Sequence, residues 1–390
     1  MTQSAIKDST ILQIIPGLET GGAERTTVDM VRGIVESRGR ALVASSGGRL
    51  VKEVEEHGGT HITLPLDAKL KFHLHVKNFI ELVRLCRQEK VDLIHARSRA
   101  PAIPAYYVAK LLGIPFLTTY HGIYSEKNKL KRWYNSYMVS GKAVIANSNY
   151  TASLIKERYQ LADDKIHVVH RGTDLDRFDP AKISDFATST MRKSWKVPEG
   201  RPVGILLGRL TDWKGHFHAL RALKILKMRQ AETPLLLFTG KAQSETYLER
   251  LKEQIKADGM QDDVIITGHT DDVPLAFTLA HFAIVPSTKP EAFGRSVAEA
   301  SASGLPVIAF NHGGATETIA CPPDVEDKMR TGYRVPVRDD NALADAMADV
   351  LALLPSQRRA MGERGRAHIA QHFSIDEMIT KTLNVYEKLL

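Results

Sequence analysis

Short apolar runs alternate with stretches of helical spacing along almost the whole chain, and this alternation restricts the fold more than any other feature. The first run, residues 11–15, leads through Pro-Gly and the pair Gly21-Gly22 into a stretch with helical spacing at residues 26–35. A strand, a glycine loop and a helix in this order are typical of phosphate-binding α/β proteins. Because parallel strands need a crossover between them, usually a helix, the alternation predicts a doubly wound parallel sheet. Further strands are predicted at residues 41–45, 61–64, 93–96, 116–119, 143–146 and 166–169.

The second half of the chain repeats the scheme, so the sequence predicts two domains. A strand at residues 203–207 ends at Gly208, and a chain of 390 residues exceeds the usual size of a single core. We therefore expect two Rossmann-like α/β domains that face each other across a central cleft. Later strands are predicted at residues 235–238, 264–267, 282–285 and 307–309. The predicted parts are a first domain at residues 1–178, a linker at 179–200, a second domain at 201–374, and a final helix at 375–390 that is free to pack on either half, including back on the first.

The net charge of +8 is unevenly distributed along the chain. Residues 1–178 hold 26 Lys and Arg against 18 Asp and Glu, whereas residues 179–390 hold 27 against 27. An excess confined to one half indicates an anionic partner for that half. A phosphorylated glycolipid, an anionic membrane surface and nucleic acid all match this charge. The balanced second half and the absence of a recognised nucleic-acid-binding module argue against nucleic acid.

Composition and cysteine usage are those of an ordinary globular protein. Hydrophobic residues make up 43% of the chain and charged residues 25%. No run approaches the roughly 18 apolar residues of a membrane span, and residues 1–10 lack the basic and apolar regions of a leader. Cys86 and Cys321 lie far apart in sequence and match no metal-binding spacing. The sequence therefore predicts a cytoplasmic protein with free thiols and no bound metal.

Residues 289–300 carry the strongest chemical signal. Glu291 and Glu299 stand eight residues apart, the first in a loop and the second about one turn inside a predicted helix. Between them, Phe293-Gly294 lets backbone N–H groups approach a ligand where a Cβ would obstruct. Two carboxylates at this separation suit a ligand with two sets of hydroxyl groups, such as a nucleotide sugar.

Two cations follow the predicted strand at residues 203–207. Arg209 and Lys214 lie five residues apart in a loop that begins and ends with glycine. Ligands of open α/β sheets bind beyond the carboxyl ends of the strands, which is where this loop lies. An arginine can form two hydrogen bonds to a diphosphate and a lysine adds a point charge, so the pair can stabilise a departing nucleoside diphosphate. A solvated loop is the alternative reading.

Other polar loops also follow predicted strands. His121 comes after the strand at residues 116–119, and both a ligand contact and a structural role are open for it. Gly268 and His269 come after another strand and match base or ribose contacts. Gly21 and Gly22 open the first helix, where free N–H groups can hold a phosphate, although the GxGxxG fingerprint of dinucleotide binders is absent.

Basic residues are interleaved with aromatic residues in the first half. One cluster is Arg97 and Arg99, and a second segment, residues 127–134, contains Lys129, Lys131, Arg132 and Trp133. Cations beside tryptophan and tyrosine suit a lipid headgroup interface, whereas a solvated face is the usual reading of such runs. With the polarised charge, this composition predicts peripheral binding to the inner face of the cytoplasmic membrane.

Taken together, these motifs resemble those of the GT-B glycosyltransferases of family 4. The likeness spans residues 11–373 and rests on Gly-Gly-Ala-Glu, Tyr-His-Gly, Asn147-Ser148, Gly172-Thr173-Asp174, Gly-Arg-Leu with a following Lys-Gly, Gly-His, Pro-Ser and the two glutamates. It implies a retaining, metal-independent transferase without a cofactor. The nucleotide-sugar donor would bind mainly to domain 201–374, and the acceptor to domain 1–178.

The resemblance also implies a role for each matching residue. Arg209 and Lys214 would hold the donor diphosphate, and Glu291 the sugar hydroxyls. Glu299 would bind the ribose diol, and His121 would contact the sugar near the reacting centre. The remaining donor contacts implied are Gly21, Gly22, Gly268, His269, Phe293, Gly294 and Arg295. The acceptor or membrane residues come instead from the charge and aromatic pattern, and they are Arg97, Arg99, Lys129, Lys131, Arg132 and Trp133. As proposed for such families, attack from the front face needs no covalent nucleophile, and Glu291 as nucleophile is the alternative.

Within the family, the chain is most similar to bacterial lipopolysaccharide-core transferases of the mannosyltransferase type. Gly-Gly-Ala-Glu-Arg, Ala-Arg-Ser-Arg-Ala-Pro-Ala and Arg-Gly-Thr-Asp carry this likeness. It implies GDP-mannose as donor, with UDP- and ADP-sugars as alternatives, and an anionic glycolipid as acceptor. The chain departs from the family at Arg171, where many members have asparagine, and in residues 321–330, which lengthen a loop.

Other functions remain as alternatives to this reading. A GT-B epimerase would share the donor site, and a transferase with a soluble or exopolysaccharide acceptor would share the chemistry. A dehydrogenase is disfavoured by the missing GxGxxG motif. An inactive sugar-nucleotide scaffold is disfavoured because Arg209, Lys214, Glu291 and Glu299 are all present.

Overall fold

The chain forms two compact α/β units in a computed structural model that describes residues 5–19, 21–67, 72–229 and 233–390. The first unit comprises Met1–Gly172 and Ile375–Leu390, and the second comprises Thr173–Ser374. The last helix therefore belongs to the first unit, and the second unit is inserted between two parts of the first.

The first unit is built on a seven-stranded parallel sheet. Its strands are β1 (Thr10–Ile14), β2 (Arg40–Ser45), β3 (Thr60–Thr63), β4 (Leu93–Ala96), β5 (Phe116–Tyr120), β6 (Ala143–Ala146) and β7 (Ile166–Val168). They pair in the order β3-β2-β1-β4-β5-β6-β7. The crossover helices are α1 (Gly22–Glu36), α2 (Val51–Glu56), α3 (Phe72–Gln88), α4 (Arg99–Leu112), α5 (Lys129–Ser136) and α6 (Asn149–Tyr159). The order reverses direction between β1 and β4, which places the carboxyl ends of these strands beside a crevice where ligands of such sheets bind.

Both faces of this sheet are buried, because successive side chains of each strand point to opposite sides. Ile11 packs in a core with Val31 of α1, whereas its neighbour Leu12 packs in a second core with Leu82 of α3. Nearly continuous apolar strands are what such a two-sided sheet requires. The sequence prediction of a doubly wound sheet is confirmed.

The second unit repeats this architecture with a six-stranded parallel sheet. Its strands are β8 (Val203–Leu207), β9 (Leu235–Thr239), β10 (Val264–Gly268), β11 (Phe282–Val285), β12 (Val307–Phe310) and β13 (Gly332–Val335), in the order β10-β9-β8-β11-β12-β13. Its helices are α7 (Asp185–Ser194), α8 (His216–Arg229), α9 (Glu245–Ala257), α10 (Val273–Thr278), α11 (Arg295–Ala302), α12 (Asp340–Ala352) and α13 (Pro355–His372). Here too alternate residues enter two cores: Ile205 packs with Val297 of α11, and Leu206 with Met347 of α12.

The segment predicted as a linker, residues 179–200, is instead part of the second unit. It contains helix α7, and the residues on either side of that helix, Phe178 and Val197, are buried in the core with Ile205. The sequence predicted a linker here because the segment contains two prolines and is mostly polar. The units join at Gly172–Thr173 rather than at residue 178.

The last helix, α14 (Ile375–Glu387), packs on α1 within the first unit. Gly33 of α1 is the contact point, because a Cβ at that position would lie 2.2 Å from Cγ2 of Ile379. Tyr386 is fully buried, and its hydroxyl lies 2.6 Å from Nδ1 of His95 at the centre of the sheet. The close approach of the two helices thus depends on the absence of a side chain at residue 33.

Replacing Gly33 with leucine should therefore destabilise the first unit. The added side chain must displace Ile379 or push α14 away, and overpacking of this kind costs about 2 kcal/mol. Glu36→Leu, at an exposed position of the same helix, serves as the matched control and should change stability by less than about 0.5 kcal/mol. Urea denaturation of both variants measures the difference. Equal stability of the two variants would show that the α1–α14 contact is not close.

Candidate functional site

In the second unit, one of the cations and one of the carboxylates predicted to bind a donor form an ion pair with each other. The Nζ atom of Lys214 lies 2.7 Å from Oε1 of Glu291, and both side chains are largely buried, with exposures of 10% and 15%. The hydroxyl of Ser287 donates to the same carboxylate oxygen at 2.7 Å. The ammonium group also lies 4.6 Å from the centroid of the Trp213 ring. Lysine and glutamate are therefore held in fixed positions beyond the carboxyl ends of β8 and β11.

Backbone packing of three loops holds this ion pair in place. The N–H of Thr288 donates to the Trp213 carbonyl at 2.7 Å, and the N–H of Gly314 donates to the Glu291 carbonyl at 2.8 Å. Gly215 has φ +81°, and a Cβ there would lie 1.9 Å from the carbonyl oxygen of Pro286. Glycine at the end of the Lys214 loop is thus required both by the backbone conformation and by the contact.

Gly294 sets the entry to helix α11. It has φ +87°, and a Cβ at this position would lie 2.5 Å from Cα of Ala315. The preceding Phe293 is buried, with its ring 5.9 Å from that of Phe373. The phenylalanine side chain therefore belongs to the core, and only the backbone at residues 293 and 294 can face a ligand.

The second glutamate of the predicted pair is also in an ion pair. Oε1 of Glu299 accepts hydrogen bonds from Nε and Nη2 of Arg295 at 3.1 and 2.7 Å. Glu299 is 13% exposed and Arg295 is 50% exposed. The carboxylate is thus fixed one turn into α11 by an arginine that the sequence placed in the site only through the family resemblance.

The other predicted donor residues lie in exposed loops after neighbouring strands. Arg209 follows β8 and is exposed, with no hydrogen bond or ion pair to another residue in the described parts of the chain. Gly268, the last residue of β10, has φ +78° and open space around it. His269 is 61% exposed, and its Nε2 lies 3.2 Å from Asp271. These residues are accessible to a ligand, and Arg209 has its guanidinium group available.

In the first unit, His121 follows β5, and a hydrogen bond to its backbone holds it in place. Its carbonyl accepts a hydrogen bond from Nδ2 of Asn147 at 3.2 Å, whereas its own Nε2 is buried and has no hydrogen-bond partner among the described residues. Burial lowers the pKa of His121 well below its usual value, and the positive charges of Arg171 and Arg97 lower it further. The imidazole is therefore neutral, and it can form polar contacts but does not contribute a positive charge.

The first glycine pair opens α1 as predicted, but both glycines already have close neighbours. The N–H of Gly21 donates to Oε2 of Glu24 at 2.6 Å. A Cβ at Gly22 would lie 2.2 Å from Nη2 of Arg171. Glu24 thus occupies the N-terminal end of α1, where the sequence predicted a phosphate. Glu24 supplies one half of a capping box, which the sequence analysis missed, since Gly21 at the N-cap has no side chain to supply the other half.

The basic and aromatic residues of α5 form an exposed surface, whereas Arg97 does not belong to it. Lys129, Lys131 and Arg132 are exposed, as is Trp133, whose ring lies 5.3 Å from that of Tyr137. None of the helices in the described ranges is long and apolar enough to span a bilayer.

The two arginines that the sequence grouped together have different surroundings. Arg97 is only 2% exposed and therefore cannot contact a membrane surface. Arg99 stacks on Tyr124 at 4.3 Å and donates to Oδ1 of Asn135 at 3.0 Å. Arg97 directly follows the buried strand β4, and Arg99 begins helix α4.

Comparison with known proteins identifies the family. Residues 20–177 match the family model Glycosyltransferase Family 4, and residues 187–368 match Glycosyl transferases group 1. The crystal structure of a glycosyltransferase from Rickettsia africae ESF-5 is 32% identical, covers 98% of each chain and superposes with a TM-score of 0.85. The chain belongs to the family 4 glycosyltransferases. The expected enzyme class is thereby confirmed at the level of the family, as is the GT-B fold.

Two further proteins are similar to this glycosyltransferase, one in sequence and one in structure. A GDP-mannose-dependent alpha-(1-6)-phosphatidylinositol monomannoside mannosyltransferase from Mycobacterium tuberculosis (strain CDC 1551 / Oshkosh) is 32% identical over 242 residues. That match spans 60% of this chain and 58% of the relative. The structure of Anabaena Alr3699/HepE in complex with UDP-glucose is 21% identical, with a TM-score of 0.76 over 98% and 100% of the two chains. The second likeness is one of fold.

The geometry of Gly294 in this glycosyltransferase leads to a prediction about stability. Gly294→Ala adds backbone strain and a steric contact with Ala315, so the loss should reach about 3 kcal/mol or more. Gly268→Ala is the matched control, because that residue has a similar φ but open space, and only the conformational cost of about 1 kcal/mol should appear. Calorimetry of both variants measures this contrast. Equal melting temperatures would mean that α11 begins without the contact between Gly294 and Ala315.

Proposed function

We propose that this glycosyltransferase moves a hexose from a nucleotide sugar bound to the second unit, with mannose from GDP-mannose as the favoured donor. The observation that carries the proposal is the buried Lys214–Glu291 ion pair at the strand ends. A buried ion pair adds little to stability, because desolvation offsets most of the attraction. A fixed cation and carboxylate beyond the strand ends are better explained by ligand binding.

The proposed mechanism divides the work between the cations and the carboxylates. When the bond at the anomeric carbon breaks, negative charge develops on the departing diphosphate, and Lys214 and Arg209 would stabilise it without a metal. Glu291 would accept hydrogen bonds from the sugar hydroxyls, and Glu299 would bind the ribose diol. The transfer would retain configuration, with the leaving phosphate accepting the proton of the attacking hydroxyl.

The surroundings of Glu291 support a positioning role over a nucleophilic one. Its Oε1 already accepts hydrogen bonds from Lys214 and Ser287, so this oxygen is engaged and is less available for attack on the anomeric carbon. Trapping a glycosyl adduct on Glu291 during turnover would overturn this assignment. The similarity to a GDP-mannose-dependent enzyme favours mannose, and UDP- and ADP-sugars are the alternatives to be tested.

Thermal shift measurements with GDP-mannose, UDP-glucose and ADP-glucose test the donor proposal. GDP-mannose should give the largest stabilisation. Lys214→Met should weaken binding about tenfold to a hundredfold, because it removes a charge-assisted contact and leaves Glu291 unpaired. Glu291→Gln should retain binding of GDP but lose most transfer, since the hydroxyl contacts act on the sugar.

One control variant and two possible outcomes allow this experiment to contradict the proposal. Lys252→Met removes an exposed lysine of α9 in the same unit and should bind nucleotides as the unmodified protein does. If none of the three donors stabilises the protein, the proposed donor site is contradicted. If the protein converts its donor to an epimer without any acceptor, the function is that of an epimerase.

We also propose that the acceptor is an anionic glycolipid, of the lipopolysaccharide-core type, reached at the inner face of the membrane. The whole positive excess lies in the first unit, which holds 27 Lys and Arg against 19 Asp and Glu, whereas the second unit holds 26 of each. The exposed face of α5 adds Leu130 and Trp133, which are 66% and 54% exposed, beside its cations. Apolar and cationic side chains on one short helix match a headgroup interface.

Binding to phosphatidylglycerol vesicles tests the membrane proposal. The triple variant Lys129→Glu, Lys131→Glu and Arg132→Glu should bind at least about tenfold more weakly than the unmodified protein, and added salt should abolish the difference. The charge-matched control reverses Lys193, Lys252 and Lys256, which are exposed residues of the second unit. Equal binding of the two triple variants would contradict an interface at α5.

A further inference from the structure

A small cavity lies at the carboxyl edge of the first sheet, and its lining is polar on one side. Its volume is about 20 Å³, which is room for one water-sized atom. The lining residues come from α1, from the ends of β4, β5, β6 and β7, and from α14. They are Thr26, Arg97, Thr119, His121, Ile145, Asn147, Val169, Arg171, Met378 and Thr382.

Arg97 brings an incompletely bonded charge to this cavity. The side chain is 2% exposed, and its Nε donates to Oε1 of Gln13 at 2.7 Å, but Nη2 is buried with no hydrogen-bond partner among the described residues. The hydroxyl of Tyr386 acts on the guanidinium both electrostatically and through a hydrogen bond, and Asp29 of α1 acts on it electrostatically. An N–H group of a buried cation without an acceptor is costly, so its persistence calls for an explanation.

The rest of the cavity is complementary to negative charge. Nε2 of His121 is a second buried atom with no hydrogen-bond partner in the described ranges, and Arg171 contributes a second guanidinium group. No carboxylate is among the lining residues. A water molecule would satisfy the hydrogen-bond geometry of Nη2, whereas an anionic oxygen would form a charge-assisted hydrogen bond there, which is roughly twice as strong.

The wall of the cavity is rigid because a buried network holds it. Nε2 of His95 lies 2.7 Å from the hydroxyl of Thr119, and Nδ1 of the same ring lies 2.6 Å from the hydroxyl of Tyr386 in α14. With both ring nitrogens of His95 engaged, Thr119 is fixed at the cavity, and Gln13 fixes Arg97 from another side. The site is therefore built before any ligand arrives.

We propose that this cavity receives one oxygen atom of a phosphate group carried by the acceptor, with Arg97 as the principal ligand. The volume admits a single oxygen, so the remainder of the phosphate would lie outside the cavity. The inference rests on the proposed function in that the first unit binds the acceptor. It goes further by requiring that the acceptor be phosphorylated near the hydroxyl that is glycosylated. The donor diphosphate is separately provided for by Arg209 and Lys214 in the second unit.

Thermal shift titrations with inorganic phosphate and glycerol 3-phosphate, against chloride and acetate at equal ionic strength, test the site. At tenfold excess over Kd, both phosphates should raise the melting temperature by about 3 °C, and the other anions should not. Arg97→Met should abolish this shift, and Arg97→Lys should retain part of it. Arg84→Met, which removes an exposed arginine of the same unit, should leave the shift intact.

The variants also separate this inference from the donor proposal. Lys214→Met should retain the phosphate shift and lose the nucleotide shift, and Arg97→Met should do the reverse. If Arg97→Met does not fold, two other results decide the matter: the phosphate shift should persist in Lys214→Met, and it should be reduced in Arg97→Lys. Absence of a phosphate-specific shift, its persistence in Arg97→Met, or a response to inorganic phosphate but not to the ester would each overturn the proposal.

Discussion

Parallel pairing of strands is the constraint on which both units depend. Because neighbouring strands run in the same direction, the chain must return across a face of the sheet after every strand, and it does so mostly with helices. All strands of a sheet then end at the same edge. The loops that carry Lys214, Glu291 and Gly268 in one unit, and His121 and Arg97 in the other, are brought together in this way. The fold of each sheet thus places residues distant in sequence at one edge, where pairs such as Lys214 and Glu291 can interact.

The architecture could be predicted well from the sequence because local patterns of apolar residues and glycines determine the strands, helices and loops. Apolar runs of four to six residues followed by helical spacing identify the strands, and glycine marks loops where a side chain would collide, as at Gly294. The prediction of a linker at residues 179–200 was wrong because this segment lacks such a local pattern. Apolar residues in and next to this segment, among them Phe178, Trp195 and Val197, are separated by polar residues, and only the folded structure shows that they pack on the core.

Pairing between side chains could not be predicted in the same way. Lys214 and Glu291 were each identified by their loops, but 77 residues separate them, and nothing local shows that they form an ion pair. Arg97 and Arg99 looked alike as two cations two residues apart. A buried strand ends beside Arg97 and a helix begins at Arg99, so one is enclosed and the other stacks on a tyrosine. Burial, which depends on the whole fold, separates their roles.

The discontinuity of the first unit has a consequence for how the chain is made. Gly33 contacts Ile379, and His95 contacts Tyr386, so this unit cannot be completed until residues 375–390 have left the ribosome. The second unit is complete earlier, because its ends meet where the N–H of Thr173 donates to the carbonyl of Phe373 at 2.7 Å. We therefore expect the usual order of folding during synthesis, with the N-terminal domain first, to be reversed. The unit that carries the positive charge excess would then complete its fold after the unit with the Lys214–Glu291 ion pair.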